Sequence, residues 1–401
     1  MDALPLDGAE PQRPWDADPL GYVLGPIDRA EFFARTFERE PLIARHGDPR
    51  RFAPLISIDA IDAFIAGADL RQGEIDLTAT GRTIARSSYV NDGGLVDRGM
   101  VVREYQLGAT IILPQRHQSD RTLGNLCRAL EQVFSCHVQT NVYLTPGGAQ
   151  GFPPHYDNHD VFALQVTGAK HWRLYQKAVD TPYRGEGFQL GDHEAGTLVA
   201  DFVLEAGQAA YIPRGLMHDA ENVGDAPSLH ITVGLIAKTW ADLVLEAVSE
   251  VALSEPAFRR ALPPGFARPG YDREKALTIF AGLVRTVAEK TKMDAAFDLF
   301  VDQFLRGRDA DVRGALTGSL TDLSGDRFVR RRAVQCRLAE EPHKEGDLLL
   351  IGPAGELRFQ TPERGAVERA LSGEPFGVDD LGEGMADLVR RLWAFGLVER
   401  A

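Results

Sequence analysis

The sequence predicts an α+β chain in which a β-barrel or sandwich over residues 136–236 lies between helical segments. Three observations carry this. Short apolar runs at 137–144, 161–167, 172–175, 202–204, 209–212 and 230–235 are separated by Gly and Pro, the punctuation of a many-stranded antiparallel fold. Helical spacing of apolar residues appears before this region and again after Trp240. Strand patterns then return at 348–351 and 357–359, ahead of a last helix over 385–397.

In chain order, residues 1 to about 20 are rich in Pro, Asp and Gly and read as a loose lead-in. Asp28-Arg29-Ala30-Glu31 has the form of a capping box, followed by Phe32, Phe33 and Phe37 at helical spacing. A short helix is expected at 58–64, and residues 70–100 read as sheet and loops, with strands at 75–77 and 83–85. Residues 121–134 form an amphipathic helix with Leu123, Leu126, Leu130 and Val133 on one side. Between 178 and 200 the chain is Gly, Asp and Glu with little apolar content, a surface loop at the barrel mouth. Past Trp240, apolar stripes predict helices at 241–252, 274–290 and 294–304, suited either to a partner subunit or to packing on their own barrel.

A chain of 401 residues with 44% hydrophobic and 25% charged content can bury a sizeable core in two or three domains. Its formal net charge of -14 argues against duplex nucleic acid as a ligand and suits a basic peptide or protein partner. The last helix has no excess of basic residues, so direct DNA binding is not expected. Cys127, Cys136 and Cys336 form no close-spaced pair, so neither a disulfide framework nor a thiolate zinc site is indicated. With no signal-peptide pattern and no membrane-length apolar run, a cytoplasmic location is expected.

The chemistry gathers in Gly151-Phe152-Pro153-Pro154-His155-Tyr156-Asp157. Alternate residues of an extended segment share a face, so His155 and Asp157 aim at one point, and the two prolines bias the approach toward extended backbone. A third donor is expected from another strand. The best candidate is His218, which follows Tyr211-Ile212-Pro213-Arg214-Gly215, again just after a Pro/Gly turn. Two histidines and a carboxylate with positions left open suit non-haem Fe(II). In the strand starting at Lys170, this lysine shares parity with Trp172 and Leu174 and so faces inward. An inward ammonium is costly unless an anion meets it, and a dicarboxylate would do so; the bland alternative is a strand-end lysine reaching solvent. Asn141 and Tyr143 share a face with Thr145 and, with His230, are further candidates to line the cavity. His171 is out of phase, His193 lies in the polar loop and His137 reads as a satisfied strand residue. His159 suits substrate contact or the surface better than a fourth ligand position.

Thr140-Asn141-Val142-Tyr143-Leu144-Thr145-Pro146, Gln150 to Asp157, Val161-Phe162-Ala163-Leu164-Gln165, and Gly168-Ala169-Lys170-His171-Trp172-Arg173-Leu174-Tyr175 together resemble the cupin-type JmjC hydroxylases called ribosomal oxygenases. The likeness runs on through Tyr211 to His218 and covers most of the chain. It implies a double-stranded β-helix (cupin/JmjC) barrel with N-terminal helices over 1–240, a helical dimerisation segment over 241–318 and a winged-helix-like module over 319–401. It further implies Fe(II) on His155, Asp157 and His218, and 2-oxoglutarate chelating that metal. The distal carboxylate would meet Lys170, helped by Asn141 or Tyr143, with His230 nearby. Dioxygen would be the oxidant and a side chain of a ribosomal protein, histidine or arginine, the target, in a homodimeric enzyme. Gln208 departs from the Asp that many cupins carry at the turn. Hydroxylation of a small precursor peptide or metabolite, demethylation of a basic tail, and a catalytically silent binding or assembly module are the rival expectations.

Overall fold

The computed structural model describes residues 13–401 apart from 319, 342 and 343. Part of the predicted lead-in therefore lies outside the described residues. Among those described, the chain up to Ala237 forms one compact unit and the chain from Lys238 onward a second.

The first unit opens with helix α1 (Pro19–Leu24), begun by the Asp18 carboxylate accepting from Gly21 N–H and by Pro19 in the first turn. Asp28 caps α2 (Arg29–Glu31) through Glu31 N–H, but the expected capping box closes on one side only. Glu31 turns instead to Arg35 at 3.4 Å, and the helix passes into a π turn over Phe32–Thr36. Then follow β1 (Leu42–Ala44), α3 (Ile58–Gly67), β2 (Asp76–Thr78), α4 (Arg98–Gln106), β3 (Thr110–Leu113) and α5 (Arg121–Phe134). No strand forms at 83–85, where a 3-10 turn over Arg86–Ser88 follows and Arg86 is tied to Asp76 at 2.9 Å. The strand at 75–77 is shifted by one residue, to β2.

The strands β4 (His137–Thr145), β5 (Asp160–Thr167), β6 (Ala169–Lys177), β7 (Leu198–Glu205), β8 (Ala209–Ile212), β9 (Leu216–Asn222) and β10 (Ser228–Ile236) complete two antiparallel sheets. One has the order β1-β8-β5-β10-β4-β3-β2, the other β7-β6-β9. From β5 onward the chain passes repeatedly between them, the winding of a double-stranded β-helix. Side-chain parity sorts the two faces of the larger sheet. Val142, Leu144, Leu229, Ile231 and Val233 pack with Leu123, Leu126 and Leu130 of α5 in the main core. Burying each of these α5 leucines contributes about 1.5–3 kcal/mol. The opposite face carries Asn141, Tyr143, Thr145, His230 and Thr232 toward the smaller sheet, in register His230 with Tyr143 and Thr232 with Asn141.

In the second unit a Thr239–Asp242 capping box starts α6 (Trp240–Ser254), followed by α7 (Glu274–Lys290), α8 (Met293–Arg306) and α9 (Ala315–Gly318). Among the described residues six strands follow: β11 (Arg327–Arg330), β12 (Arg337–Glu340), β13 (Leu348–Gly352), β14 (Gly355–Phe359), β15 (Phe376–Gly377) and β16 (Val398–Arg400). They pair as β15-β11-β16 and β12-β13-β14, with α10 (Arg364–Ala370) and α11 (Ala386–Ala394) between them in sequence. Leu388, Val389, Leu392 and Trp393 of α11 are core residues. Helix α8 is tied to these sheets by Arg337 on Asp302 at 2.6 Å and by Arg306 on Glu356 at 2.6 Å. Among the described residues, no helix is long and apolar enough to cross a membrane.

Candidate metal centre

Gly215 carries φ 81, where a Cβ would lie 1.9 Å from Val179 O, so only glycine fits this turn. The turn delivers β9 against the segment holding the other two donors. His155 and His218 exchange both backbone hydrogen bonds, at 3.0 and 2.7 Å, and Gly215 N–H donates to Asp157 O at 2.9 Å. The three side chains are thereby carried by a single backbone ladder. The ring centroids of His155 and His218 lie 4.5 Å apart, and His218 Nε2 is 3.8 Å from Asp157 Oδ2. One ligand atom from each of the three residues falls within 4.8 Å of the others.

Tautomers follow from backbone contacts. His155 Nδ1 lies 3.0 Å from Pro153 O and His218 Nδ1 2.9 Å from Leu216 O, so each Nδ1 carries the proton and each Nε2 keeps its lone pair. Burial, and then the neighbouring His155, push the His218 pKa down to about 4, which holds that imidazole in the neutral form a ligand requires.

Lys170 is 3% exposed, facing inward from β6. Its ammonium donates to Thr145 Oγ1 at 3.0 Å, itself 3.0 Å from Thr110 Oγ1, and among the described residues it makes no ion pair. Burial alone lowers its pKa to about 7. His230 stacks on Tyr143, with centroids 4.6 Å apart and planes 13° apart, and meets Trp172 edge-on at 5.9 Å. Trp172 in turn lies 6.0 Å from the His218 ring. Three buried polar atoms of this chamber, His230 Nδ1, Trp172 Nε1 and Asn222 Oδ1, have no hydrogen-bond partner among the described residues. A buried cation beside unmet polar atoms is the environment a polar anionic ligand completes.

Asn141 is partly committed elsewhere, because its Oδ1 accepts from Gln115 N–H at 3.0 Å. Tyr143 lies beside the polar side chains of Asn141 and Thr232, and burial followed by the charge of Asp157 pushes its pKa up to about 12. His159 packs its ring over Gly234, where a Cβ would lie 2.7 Å from Nε2. Gly234 continues the face of His230 and Thr232, so His159 lines the same chamber, outside the three-residue cluster. His171 lies on the outer face of the small sheet between Asp201 and Glu221, and Gln208 closes the turn before β8 by pairing with Glu205.

Two contributors escaped the sequence reading. Asn222 is in register with Lys170 and in phase with His218, a parity that β9 would have revealed had it been recognised as a strand. Phe188, one of few aromatics in the polar loop, meets His155 at 6.3 Å and Tyr156 at 5.5 Å. With Phe152, Asn158 and Leu190 it lines a cleft of about 380 Å³ that opens on His155 and Asp157.

Residues 113–243 match the JmjC domain family. That stretch is what the chain shares with JmjC-domain proteins. The JmjC stretch contains all seven of the residues singled out above: Asn141, Tyr143, His155, Asp157, Lys170, His218 and His230. Ribosomal oxygenase 1 of Danio rerio is 29% identical over 300 residues, covering 71% of this chain and 55% of that protein. The bifunctional lysine-specific demethylase and histidyl-hydroxylase NO66 of Dictyostelium discoideum is 30% identical over 300 residues, covering 71% and 58%. The chain thus spans little more than half the length of these curated relatives. The solved structure of YcfD, a ribosomal oxygenase from Escherichia coli, in complex with cobalt and 2-oxoglutarate shares the fold, with a TM-score of 0.51 at 14% identity over 93% of this chain and 98% of that one.

Proposed function

We propose that this chain is an Fe(II)- and 2-oxoglutarate-dependent oxygenase that hydroxylates an amino-acid side chain in a protein or peptide, with ribosomal proteins as the target class. The observation that carries the reading is the convergence of His155, Asp157 and His218 beside a buried lysine that has no counter-charge among the described residues. Two imidazole nitrogens and a carboxylate suit Fe(II) and leave coordination positions for other ligands. When bound, metal and keto acid supply the oxidising chemistry, consuming dioxygen and 2-oxoglutarate and releasing succinate and carbon dioxide.

The chain's own residues do the rest. Lys170 meets the distal carboxylate of the dicarboxylate, and Thr145 holds the ammonium in place. Tyr143, beside Asn141 and Thr232, and the His230 ring stacked on it form the wall between that ammonium and the metal donors. Asn141 supports Tyr143 more than it contacts the cosubstrate, since its carbonyl oxygen is held by Gln115. Phe152, Phe188 and Leu190 line the approach, excluding water while a target side chain is held close. Glu186 and Asp192 beside Tyr156, together with the overall charge of -14, favour a basic polypeptide segment.

Helix α7 buries none of its residues and exposes Leu277, Ile279, Phe280 and Val284, which supports a homodimer formed through the helices after Trp240. The winged-helix-like module belongs to substrate docking or assembly, and the cytoplasm remains the expected compartment. The test is succinate formation from 2-oxoglutarate by the Fe(II)-loaded chain in the presence of ribosomal proteins, with intact-mass analysis for the gain of one oxygen. Neither succinate nor mass gain from folded, metal-loaded protein would leave the binding-module reading in its place.

A further inference from the structure

Glu38 is a non-glycine residue at φ 62, a left-handed conformation that side chains with a Cβ avoid. From it, three of its polar groups are engaged at once. Its N–H donates to Tyr211 Oη at 2.8 Å, its carbonyl oxygen accepts from Lys177 Nζ at 3.0 Å, and its Oε1 meets Arg214 Nη2 at 2.5 Å. Tyr211 passes the chain of bonds on, donating to Asp160 Oδ1 at 2.5 Å, and Arg214 faces Asp160 with both its charge and its backbone N–H. The Tyr211 ring is fully buried among Phe32, Phe37 and Phe162, at 5.3, 6.4 and 5.3 Å between centroids, so its hydroxyl has one direction to point.

Asp160 and Arg214 stand on the two segments that carry metal donors. Asp160 follows Asp157 by three residues, and Arg214 precedes Gly215, whose N–H holds Asp157 O. The Asp160–Arg214 contact is therefore a further rung of the ladder that already joins His155 to His218. Asp160 Oδ2 and Arg214 Nε are buried with no hydrogen-bond partner among the described residues, so the cluster is already under-satisfied and loss of a further contact is costly.

We propose that Glu38, acting through Tyr211, Asp160 and Arg214, is a positioning residue for the metal centre: it fixes the spacing between the Asp157 segment and the turn that leads to His218. This rests on the reading of His155, Asp157 and His218 as metal ligands. Partners outside the ligand set tune affinity by about 10–100-fold, and the lower end applies to a residue two contacts removed.

Co(II) binding followed by visible absorption tests the proposal on the full chain, alongside thermal melting of each variant. Glu38→Ala is expected to bind Co(II) about 10-fold more weakly, with a changed absorption envelope. Glu38→Gly relaxes the backbone but lacks the carboxylate and should be as weak, whereas Glu38→Gln keeps an acceptor for Arg214 and should retain most of the affinity. Ile61→Val, in the core away from the cluster, should melt earlier yet bind Co(II) as the wild type does. Should Glu38→Ala not fold, Arg214→Gln removes the same ion pair and carries the same expectation. Affinity within twofold of wild type and an unchanged spectrum in both Glu38→Ala and Glu38→Gly would overturn the proposal, as would equal weakening by Ile61→Val. A wild-type chain that binds no Co(II) would overturn both the proposal and the metal reading beneath it.

Discussion

Burial disfavours the charge of Lys170 and lowers its pKa to about 7, with no carboxylate among the described residues to offset that cost. In the unfolded chain the same amine holds its proton to about 10.4. Between those values the unfolded state binds the extra proton, so this group's contribution to stability rises with pH across the window and is lowest below it. A bound dicarboxylate restores the charge, so binding above pH 7 must draw in a proton, and affinity must fall as pH rises further. Calorimetry of 2-oxoglutarate binding at pH 8, in two buffers of different ionisation enthalpy, should show this uptake in the wild type. Lys170→Met should show none and should bind more weakly by about 2–5 kcal/mol. Equal proton balance in the two proteins would remove Lys170 from the cosubstrate pocket. At this scale the sequence was informative, since parity alone turned Lys170 inward and set His155 and Asp157 on one face. It marked Asn141 as a cavity-lining candidate but not the bond its Oδ1 accepts from Gln115, which lies 26 residues away on another element.

Among the elements, β9 carries most of the consequence. One face presents His218, while the other buries Asp219, held by Arg173 Nε at 2.8 Å and Tyr175 Oη at 2.8 Å. Removing one partner of a buried pair leaves an uncompensated charge. Arg173 is partly exposed, so Arg173→Leu should cost about 2–3 kcal/mol in urea unfolding, and Tyr175→Phe about 1 kcal/mol. Losses below the error of the measurement would show that this outer network leaves β9 unaffected. Helix α7 makes the second prediction. If its apolar face meets another copy, light scattering should give twice the 44.0 kDa chain mass for the wild type and the single mass for Phe280→Glu. A wild type that is monomeric at working concentration would contradict this.

The same elements explain what sequence could and could not reveal. Helix α5 was legible because Leu123, Leu126 and Leu130 repeat with helical period and are all buried. Helix α4 was not, because Val101 is its one buried residue and its start rests on a cap from Asp97. The three-residue strand β1 is too short to show a period, so the role of Glu38 just ahead of it emerges from long-range contacts alone.

For the molecule as a whole, the barrel was readable because its strands alternate one apolar face against helices with one polar face around a cavity, and that alternation survives in the sequence. The second unit was readable as helices followed by small sheets, yet its task is not written in any motif. The division of labour expected from this layout is chemistry in the unit ending at Ala237, with assembly and docking in the unit that follows. Its acidity sets a matching expectation: association with a basic polypeptide should weaken as salt rises from 0.05 to about 0.5 M, because screening shortens the reach of the field.

The most direct measurement is succinate formed from 2-oxoglutarate by the Fe(II)-loaded wild type and by His218→Ala, side by side at equal protein concentration. Turnover is expected in the wild type and only background in the variant, with the variant still folded by circular dichroism. Full turnover in His218→Ala would contradict the assignment of His218 as a metal ligand.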